Sequence, residues 1–142
     1  MNNRKVTDLL PHRPPFLFVD RVVSIGESEA VAERTVREDE AYLKGHFPGN
    51  PMVPGVLIVE SMAQTAGLAL AGGENEDDTP ERAVFYLSKI SRARFRRAVF
   101  PEETMRITAG VTRSFGGSAV IEAKVEVAGE IAAEGELVLS RK

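Results

Sequence analysis

Residues 45–64, Gly45-His46-Phe47-Pro48-Gly49-Asn50-Pro51-Met52-Val53-Pro54-Gly55-Val56-Leu57-Ile58-Val59-Glu60-Ser61-Met62-Ala63-Gln64, decide how the chain folds. Prolines 48, 51 and 54 fix φ at every third position, so the stretch opens as a stiff loop. Pro54 suits the first turn of a helix, where its missing N–H costs nothing. From Val56 to Ala71 nearly every side chain is apolar or small, the composition of a helix buried on all sides, and Gly72-Gly73 stops it. Its strongly polar residues are Glu60 and Gln64, which at i and i+4 share a face. A carboxylate in the second turn of such a helix calls for a role. Taken singly, a loop histidine at 46 and a structurally satisfied carboxylate at 60 are the plainer readings. The proline spacing also matches a Pro-x-x-P ligand, but Phe47, Met52 and Val53 read as buried rather than displayed.

The 142 residues suit one domain, 1–142, with enough chain for a real core. A composition of 43% hydrophobic and 27% charged residues is that of an ordinary globular protein. The absence of cysteine excludes disulfides and thiolate metal sites, and fits a cytoplasmic location. His12 and His46 lack a His-x-x-x-His spacing, so no metal site is expected. A net charge of −3 gives no reason to expect nucleic acid as a partner. Met1 to Leu10 lacks the apolar run of a signal peptide. Residues 52–71 are the one candidate membrane segment. Glu60 sits mid-span, so a core helix is expected and no membrane insertion.

Working outward, Thr7 is placed to cap a short turn, Asp8-Leu9-Leu10, that Pro11 ends. Phe16 to Val23 reads as a strand, with Ala30 to Val36 as its hairpin partner across Ile25-Gly26-Glu27-Ser28. Glu38 to Leu43 reads as a helical turn, and the acidic stretch Gly73 to Pro80 as a solvated loop with no site. After Pro80 the period becomes two. A long strand begins at Ala83 and runs towards Val99. Met105, Ile107, Ala109 and Val111 alternate with polar or small residues, as do Ile121, Ala123, Val125 and Val127, and a last strand covers Ile131 to Leu139. Gly116-Gly117 and Ala128-Gly129 supply the turns. These are antiparallel strands with one wet face. One apolar helix and such a meander can bury each other only if the sheet curls, which predicts an α+β fold, an antiparallel sheet wrapped around a central buried helix.

Two stretches carry a family resemblance: Leu10-Pro11-His12-Arg13-Pro14-Pro15-Phe16-Leu17-Phe18-Val19-Asp20-Arg21, and Gly45-His46-Phe47-Pro48-Gly49 through Pro54-Gly55-Val56-Leu57-Ile58-Val59-Glu60 and Ala63-Gln64. They resemble the (3R)-hydroxyacyl-acyl-carrier-protein dehydratases of bacterial fatty-acid synthesis, over most of residues 8–101. That resemblance implies a hot-dog fold, no cofactor, a homodimer that often assembles as a trimer of dimers, and acyl carrier protein as the partner that delivers substrate. The chemistry agrees with the residues present. Dehydrating a 3-hydroxyacyl thioester requires a base for the α proton, an acid for the leaving oxygen and donors for the developing enolate. His46 suits the base. Desolvation on an apolar helix would favour the acid form of Glu60. Gly55, at the helix start, offers unpaired N–H groups and no Cβ to obstruct a thioester oxygen. By resemblance, His46 and Glu60 are the catalytic pair, drawn from opposite subunits. Gly55 N–H then holds the thioester carbonyl, Gln64 orients Glu60, and Tyr86 matches the aromatic gate of the acyl tunnel.

The chain departs from the family pattern where Ala98 replaces a usual proline and where Pro101-Glu102-Glu103 replaces Pro-Gly-Asp, positions that bear on substrate preference and docking rather than on reaction type. The isomerising sibling group carries aspartate in place of Glu60 and cysteine in place of Val56, so the simple dehydratase is favoured. The competing readings are a hot-dog thioesterase that activates water and a non-catalytic acyl-binding hot-dog subunit; a phosphate cradle is discounted because the loop lacks Gly-x-x-x-x-Gly-Lys. Finally, Lys89, Arg92, Arg94, Arg96 and Arg97 crowd nine residues without an acid. In an extended strand Arg92, Arg94 and Arg96 share a face, which suits an acidic carrier protein. The alternative is that they pair with the chain's own carboxylates.

Overall fold

Alternating apolar residues become strands here because a sheet can hide one face and wet the other. The structure, a computed structural model, describes residues 5–72 and 84–142. Its elements are α1 (Val6–Leu9), β1 (Arg21–Ile25), β2 (Glu29–Thr35), a 3-10 turn (Ala41–Lys44), α2 (Gly55–Gly72), β3 (Phe85–Phe95), β4 (Thr104–Phe115), β5 (Ser118–Val127) and β6 (Glu130–Arg141). The strands form one six-stranded sheet in the order β1-β2-β4-β5-β6-β3, with every neighbouring pair antiparallel.

Met105, Ile107 and Ala109 of β4, Ile121, Ala123 and Val125 of β5, and Leu137 and Leu139 of β6 are buried on one face, while Arg106, Glu122 and Lys124 between them face water. Against that apolar face lies α2, whose Ile58, Val59, Met62, Ala63 and Ala66 belong to the same core. Further along, Leu68 and Ala69 join Val6, Leu9, Leu10, Val19, Ala30 and Ala32 in a second cluster beneath α1. Because α2 touches all six strands, the sheet is wrapped around it: the α+β hot-dog arrangement expected from the sequence. Gly55–Gly72 is apolar and long enough to cross a membrane, yet it is the helix at the centre of this core.

Small residues let the layers approach. Gly135 of β6 lies opposite Ala93, beside a bulge between Ile90 and Arg92 in β3. A Cβ on Gly135 would stand 2.6 Å from the Arg92 carbonyl oxygen, inside contact distance of backbone that cannot rotate away. The β5–β6 turn at Ala128-Gly129 has φ of 52° and 81°, the mirror-image turn whose twist matches that of its strands.

Several local expectations are corrected. Thr7 is not a cap: α1 begins after Lys5, whose N–H donates to the Asp8 carboxylate at 2.9 Å. The first strand covers Arg21–Ile25 only, because Phe16 to Val19 rests on α2 and bonds to helix side chains instead of to a neighbouring strand. The helical turn lies at Ala41–Lys44, with Glu40 as its cap. Pro54 caps α2 instead of occupying its first turn: its carbonyl accepts from the N–H groups of Leu57 and Ile58 at 3.0 and 3.2 Å. The helix is not buried on all sides, since Val56 is 76% exposed. Strand β3 stops at Phe95, after which the N–H groups of Arg96 and Arg97 both turn to the Ala132 carbonyl. Ala83, Gly73 and the acidic stretch to Pro80 lie outside the described residues.

Gly135→Ala is therefore expected to force β3 and β6 apart locally and to cost about 1–3 kcal/mol of stability, the range for overpacking a tight site. Urea unfolding of the purified variant against the parent measures it.

Candidate active site

The loop ahead of α2 is braced by its own backbone. Phe47 and Asn50 exchange N–H···O bonds at 3.1 and 2.9 Å, the Met52 N–H donates to the His46 carbonyl at 2.8 Å, and the Val53 N–H donates to Val99 at 2.8 Å. This places the His46 ring against the Phe47 ring, with centroids 4.2 Å apart, and sets Nδ1 2.9 Å from the Met52 carbonyl oxygen. A carbonyl can only accept, so Nδ1 carries the hydrogen and Nε2 keeps the lone pair. The loop thus fixes both the tautomer and which nitrogen is basic.

Glu60 stands one turn into α2, its side chain 20% exposed. Its Oε2 accepts from Gln64 Nε2 at 2.9 Å, and His12 Nε2 lies 3.7 Å from the same oxygen. Gln64 is 1% exposed and bonded on every side: Oε1 accepts from the Phe18 N–H at 2.9 Å, while Nε2 also donates to the Phe16 carbonyl at 3.2 Å. Ser61 Oγ donates to the Phe18 carbonyl at 2.9 Å. The polar side chains of α2 therefore do for Phe16–Phe18 what a neighbouring strand would have done, and the same amide that ties this segment down also orients Glu60.

Gly55 opens α2, and neither its N–H nor that of Val56 has a partner among the described residues. Space is tight here: a Cβ would meet the Phe95 ring at 3.0 Å, a contact the ring would have to yield to. Tyr86 is 54% exposed on β3, an edge strand paired only with β6. Within one chain no hydrogen bond or ion pair joins His46 and Glu60 among the described residues: His46 bonds to Met52 and Glu60 to Gln64. Among the described residues no three His, Asp or Glu side chains gather as metal ligands.

The basic cluster is largely self-neutralised. Arg92 pairs with Glu122 at 3.0 Å, Arg97 with Glu103 at 2.7 Å, and Arg96 with Glu134. The Arg96 hydrogen bond, with smaller contributions from the charges of Arg94 and Arg92, holds the Glu134 carboxyl below its usual range. Lys89 and Arg94 have no ion-pair partner among the described residues.

Sequence reasoning missed a buried cluster that supports the site. Arg34, 2% exposed, ion-pairs with Glu40, lies 5.1 Å over the Phe18 ring and reaches the Tyr42 hydroxyl at 3.3 Å; that hydroxyl donates to Glu40 at 2.7 Å. The signal was present: Arg34 falls in phase with the inward residues Ala30, Ala32 and Val36 of β2, where an arginine needs a buried partner. His12, within the quoted N-terminal motif but given no role, is the other omission, and no spacing rule could have placed it beside Glu60.

A six-stranded antiparallel sheet wrapped on one buried helix is the hot-dog fold. The sequence model of the FabA-like domain matches residues 10–136. The chain belongs to the FabA-like family. The 3-hydroxyacyl-[acyl-carrier-protein] dehydratase FabZ of Polynucleobacter necessarius subsp. necessarius is 42% identical over 134 residues, covering 94% of this chain and 87% of that protein. FabZ of Streptococcus sanguinis is 42% identical over 136 residues, covering 95% and 94% respectively. The dehydratase heterocomplex ApeI:P of Xenorhabdus doucetiae shares the fold, with a TM-score of 0.87 and 19% identity over 99% of this chain and 93% of that one.

The Arg34 cluster makes stability depend on pH at both ends. Burial alone would raise the Glu40 carboxyl, but the Arg37 N–H, the Tyr42 hydroxyl and the Arg34 guanidinium more than offset it and hold it below its ordinary 4.5. Burial, then the bond to Glu40, push the Tyr42 hydroxyl up to about 12. A depressed carboxyl stabilises the fold above its unfolded value, and that contribution disappears as pH falls through the folded one. A raised phenol stabilises it below 10, with loss as pH climbs from 10 to about 12. Tyr42→Phe is expected to remove an alkaline loss on the order of 1–2 kcal/mol, read as a flatter upper limb of unfolding free energy against pH.

Proposed function

We propose that this chain dehydrates (3R)-3-hydroxyacyl thioesters on acyl carrier protein to trans-2-enoyl thioesters in fatty-acid elongation, with His46 as base and Glu60 as acid in sites shared by two subunits. A cytoplasmic setting belongs to the same reading. Its membership in the FabA-like family, and its likeness to FabZ proteins over nearly the whole chain, make it a 3-hydroxyacyl-acyl-carrier-protein dehydratase. The observation that carries the assignment of roles is the polarity of the His46 ring: Met52 occupies Nδ1, so Nε2 is free to take a proton.

In this mechanism Nε2 of His46 removes a proton from C2 of the substrate. The C–H electron pair becomes the C2–C3 double bond, the C3–O bond breaks, and Glu60 gives its proton to the departing hydroxide, which leaves as water. The enolate-like charge on the thioester oxygen falls near the unpaired N–H groups where α2 begins, with Gly55 closest to hand. A proton returned from His46 to Glu60 through solvent resets the pair. The elimination is redox-neutral and asks for no electron carrier. Tyr86 is placed, in this reading, at the mouth of the acyl tunnel.

Two subunits are proposed because His46 and Glu60 point to different partners within one chain, and because β3 is an eleven-residue edge strand that displays Tyr86, Ile90 and Phe95 to solvent. An edge of that length and apolarity is ordinarily covered. Docking of acyl carrier protein rests on Lys89 and Arg94 more than on Arg92, Arg96 and Arg97, whose charges are met within the chain.

His46→Ala and Glu60→Gln are each expected to lower turnover a hundredfold or so while leaving the circular dichroism unchanged; absorbance of the enoyl thioester measures it, and near-normal turnover by either folded variant would remove that residue from the mechanism. A mixed dimer of the two variants holds one site with both native groups and one with neither. It should recover activity that neither parent has, and verified heterodimers without rescue would put both groups in one subunit's site. Charge reversal at Arg94 is expected to lower kcat/KM for carrier-protein substrates and weaken their salt dependence, with little effect on a short uncharged thioester; equal losses on both substrates would point to damage instead of docking.

A further inference from the structure

We propose that His12 is a positioning residue for Glu60, and that together with Gln64 it commits Oε1 of Glu60 as the oxygen that gives up the proton. The inference rests on the reading of Glu60 as the acid and adds a residue to which that reading assigns no part.

The loop that carries His12 is fixed at both ends. The Arg13 guanidinium donates to the carbonyls of Leu10 at 2.8 Å, of His12 itself at 2.7 Å and of Thr7 at 3.2 Å, so the backbone on either side of His12 is held by its own neighbour. The Phe16 N–H closes a turn onto Arg13 at 2.9 Å, and from Phe16 to Phe18 the chain is sewn to α2 by Gln64 and Ser61. Between these anchors the His12 ring faces the Glu60 carboxyl, its ion-pair partner among the described residues, with Nε2 3.7 Å from Oε2.

The tautomer follows from its surroundings. Nδ1 of His12 is buried without a hydrogen-bond partner among the described residues. Hydrogen on Nε2 aims an N–H at a carboxylate oxygen, whereas hydrogen on Nδ1 would set a nitrogen lone pair against oxygen lone pairs and bury an unpaired donor as well. Nε2–H is therefore the form the site selects.

The consequence for Glu60 is chemical. Gln64 Nε2 has only hydrogens to offer, so Oε2 accepts from it whether Glu60 is protonated or not. The acid proton then sits on Oε1. When Oε1 passes that proton to the leaving hydroxide, negative charge spreads onto Oε2, where two donors already wait. At 3.7 Å the His12 N–H is beyond a full hydrogen bond in the resting chain, and it gains strength only as the carboxylate forms. An interaction that grows along the reaction speeds the chemical step without changing how the substrate binds.

The test is a set of His12 substitutions assayed for enoyl thioester formation, with kcat and KM resolved and the thermal midpoint of each variant measured. His12→Gln can return an amide N–H to the position of Nε2; His12→Asn places its amide near Nδ1, out of reach of Glu60. We expect His12→Asn to lower kcat about tenfold with KM within about twofold, His12→Gln to regain most of the loss, and His12→Asn to add nothing in a Glu60→Gln background. Should His12→Asn fail to fold, His12→Leu, which fills the ring's place without a donor, serves the same comparison. Unchanged kcat in His12→Asn while Glu60→Gln is inactive overturns the role of His12 and leaves the acid in place. Equal losses in the Asn and Gln variants, tracking a lowered thermal midpoint, overturn it in favour of a structural role. Full turnover by Glu60→Gln removes the acid assignment itself, and this inference with it.

Discussion

The side-chain amide of Gln64 is the group on which the local architecture depends. A primary amide this deeply enclosed must find partners for its oxygen and both hydrogens, and it finds them in Phe18, Phe16 and Glu60. Each partner limits the others. The Phe16–Val19 segment cannot lift from α2 without stripping the amide, and Glu60 cannot rotate away without leaving one of its hydrogens bare. Ser61, one residue after Glu60 on the same helix, adds a second tie to Phe18. A helix that would otherwise be an inert apolar rod thereby fixes both a carboxylate and the chain segment that runs across it.

The Phe18 position links that arrangement to the histidine loop. Its ring lies beneath the Arg34 guanidinium and edge-on to Tyr42, with ring centroids 6.4 Å apart, and Tyr42 belongs to the turn that runs directly into Gly45 and His46. Burying a charged pair adds little net stability, because desolvation offsets most of the attraction; removing one partner is what costs. The Arg34–Glu40–Tyr42 cluster is accordingly better understood as a device for placement. It holds the turn that leads into the His46 loop and the Phe18 segment in one frame.

The outer face of the sheet follows different physics. Carboxylates of β5 and β6 stand alongside the arginines of β3, and Arg92, Arg96 and Arg97 are each met by one of the chain's own acids. Exposed pairs of this kind contribute little to stability, yet they cancel most of the field that five clustered cations would project. Lys89 and Arg94 are left without an ion-pair partner among the described residues.

Much of this was legible in the sequence because the relevant constraints are periodic. Alternation from Met105 to Val111 and from Ile121 to Val127 reads as a sheet with one dry face, and the mostly apolar stretch from Val56 to Ala71 reads as a core helix. Their combination dictated a sheet curled on a helix, and the i, i+4 spacing of Glu60 and Gln64 put the carboxylate beside the amide that bonds it. Tertiary structure alone decided the rest. Phe16 to Val19 is apolar enough for a strand, but its backbone groups went to Ser61 and Gln64, far away in sequence, so it never joined the sheet. The ion pairs of Arg92 with Glu122 and of Arg96 with Glu134 depended on the sheet order, which places β6 and then β5 beside β3, an order no local pattern encodes. His12 reached Glu60 only because the loop, the helix and the core beneath them converge there; composition and spacing carry one-dimensional information, and that contact is made by packing in three dimensions.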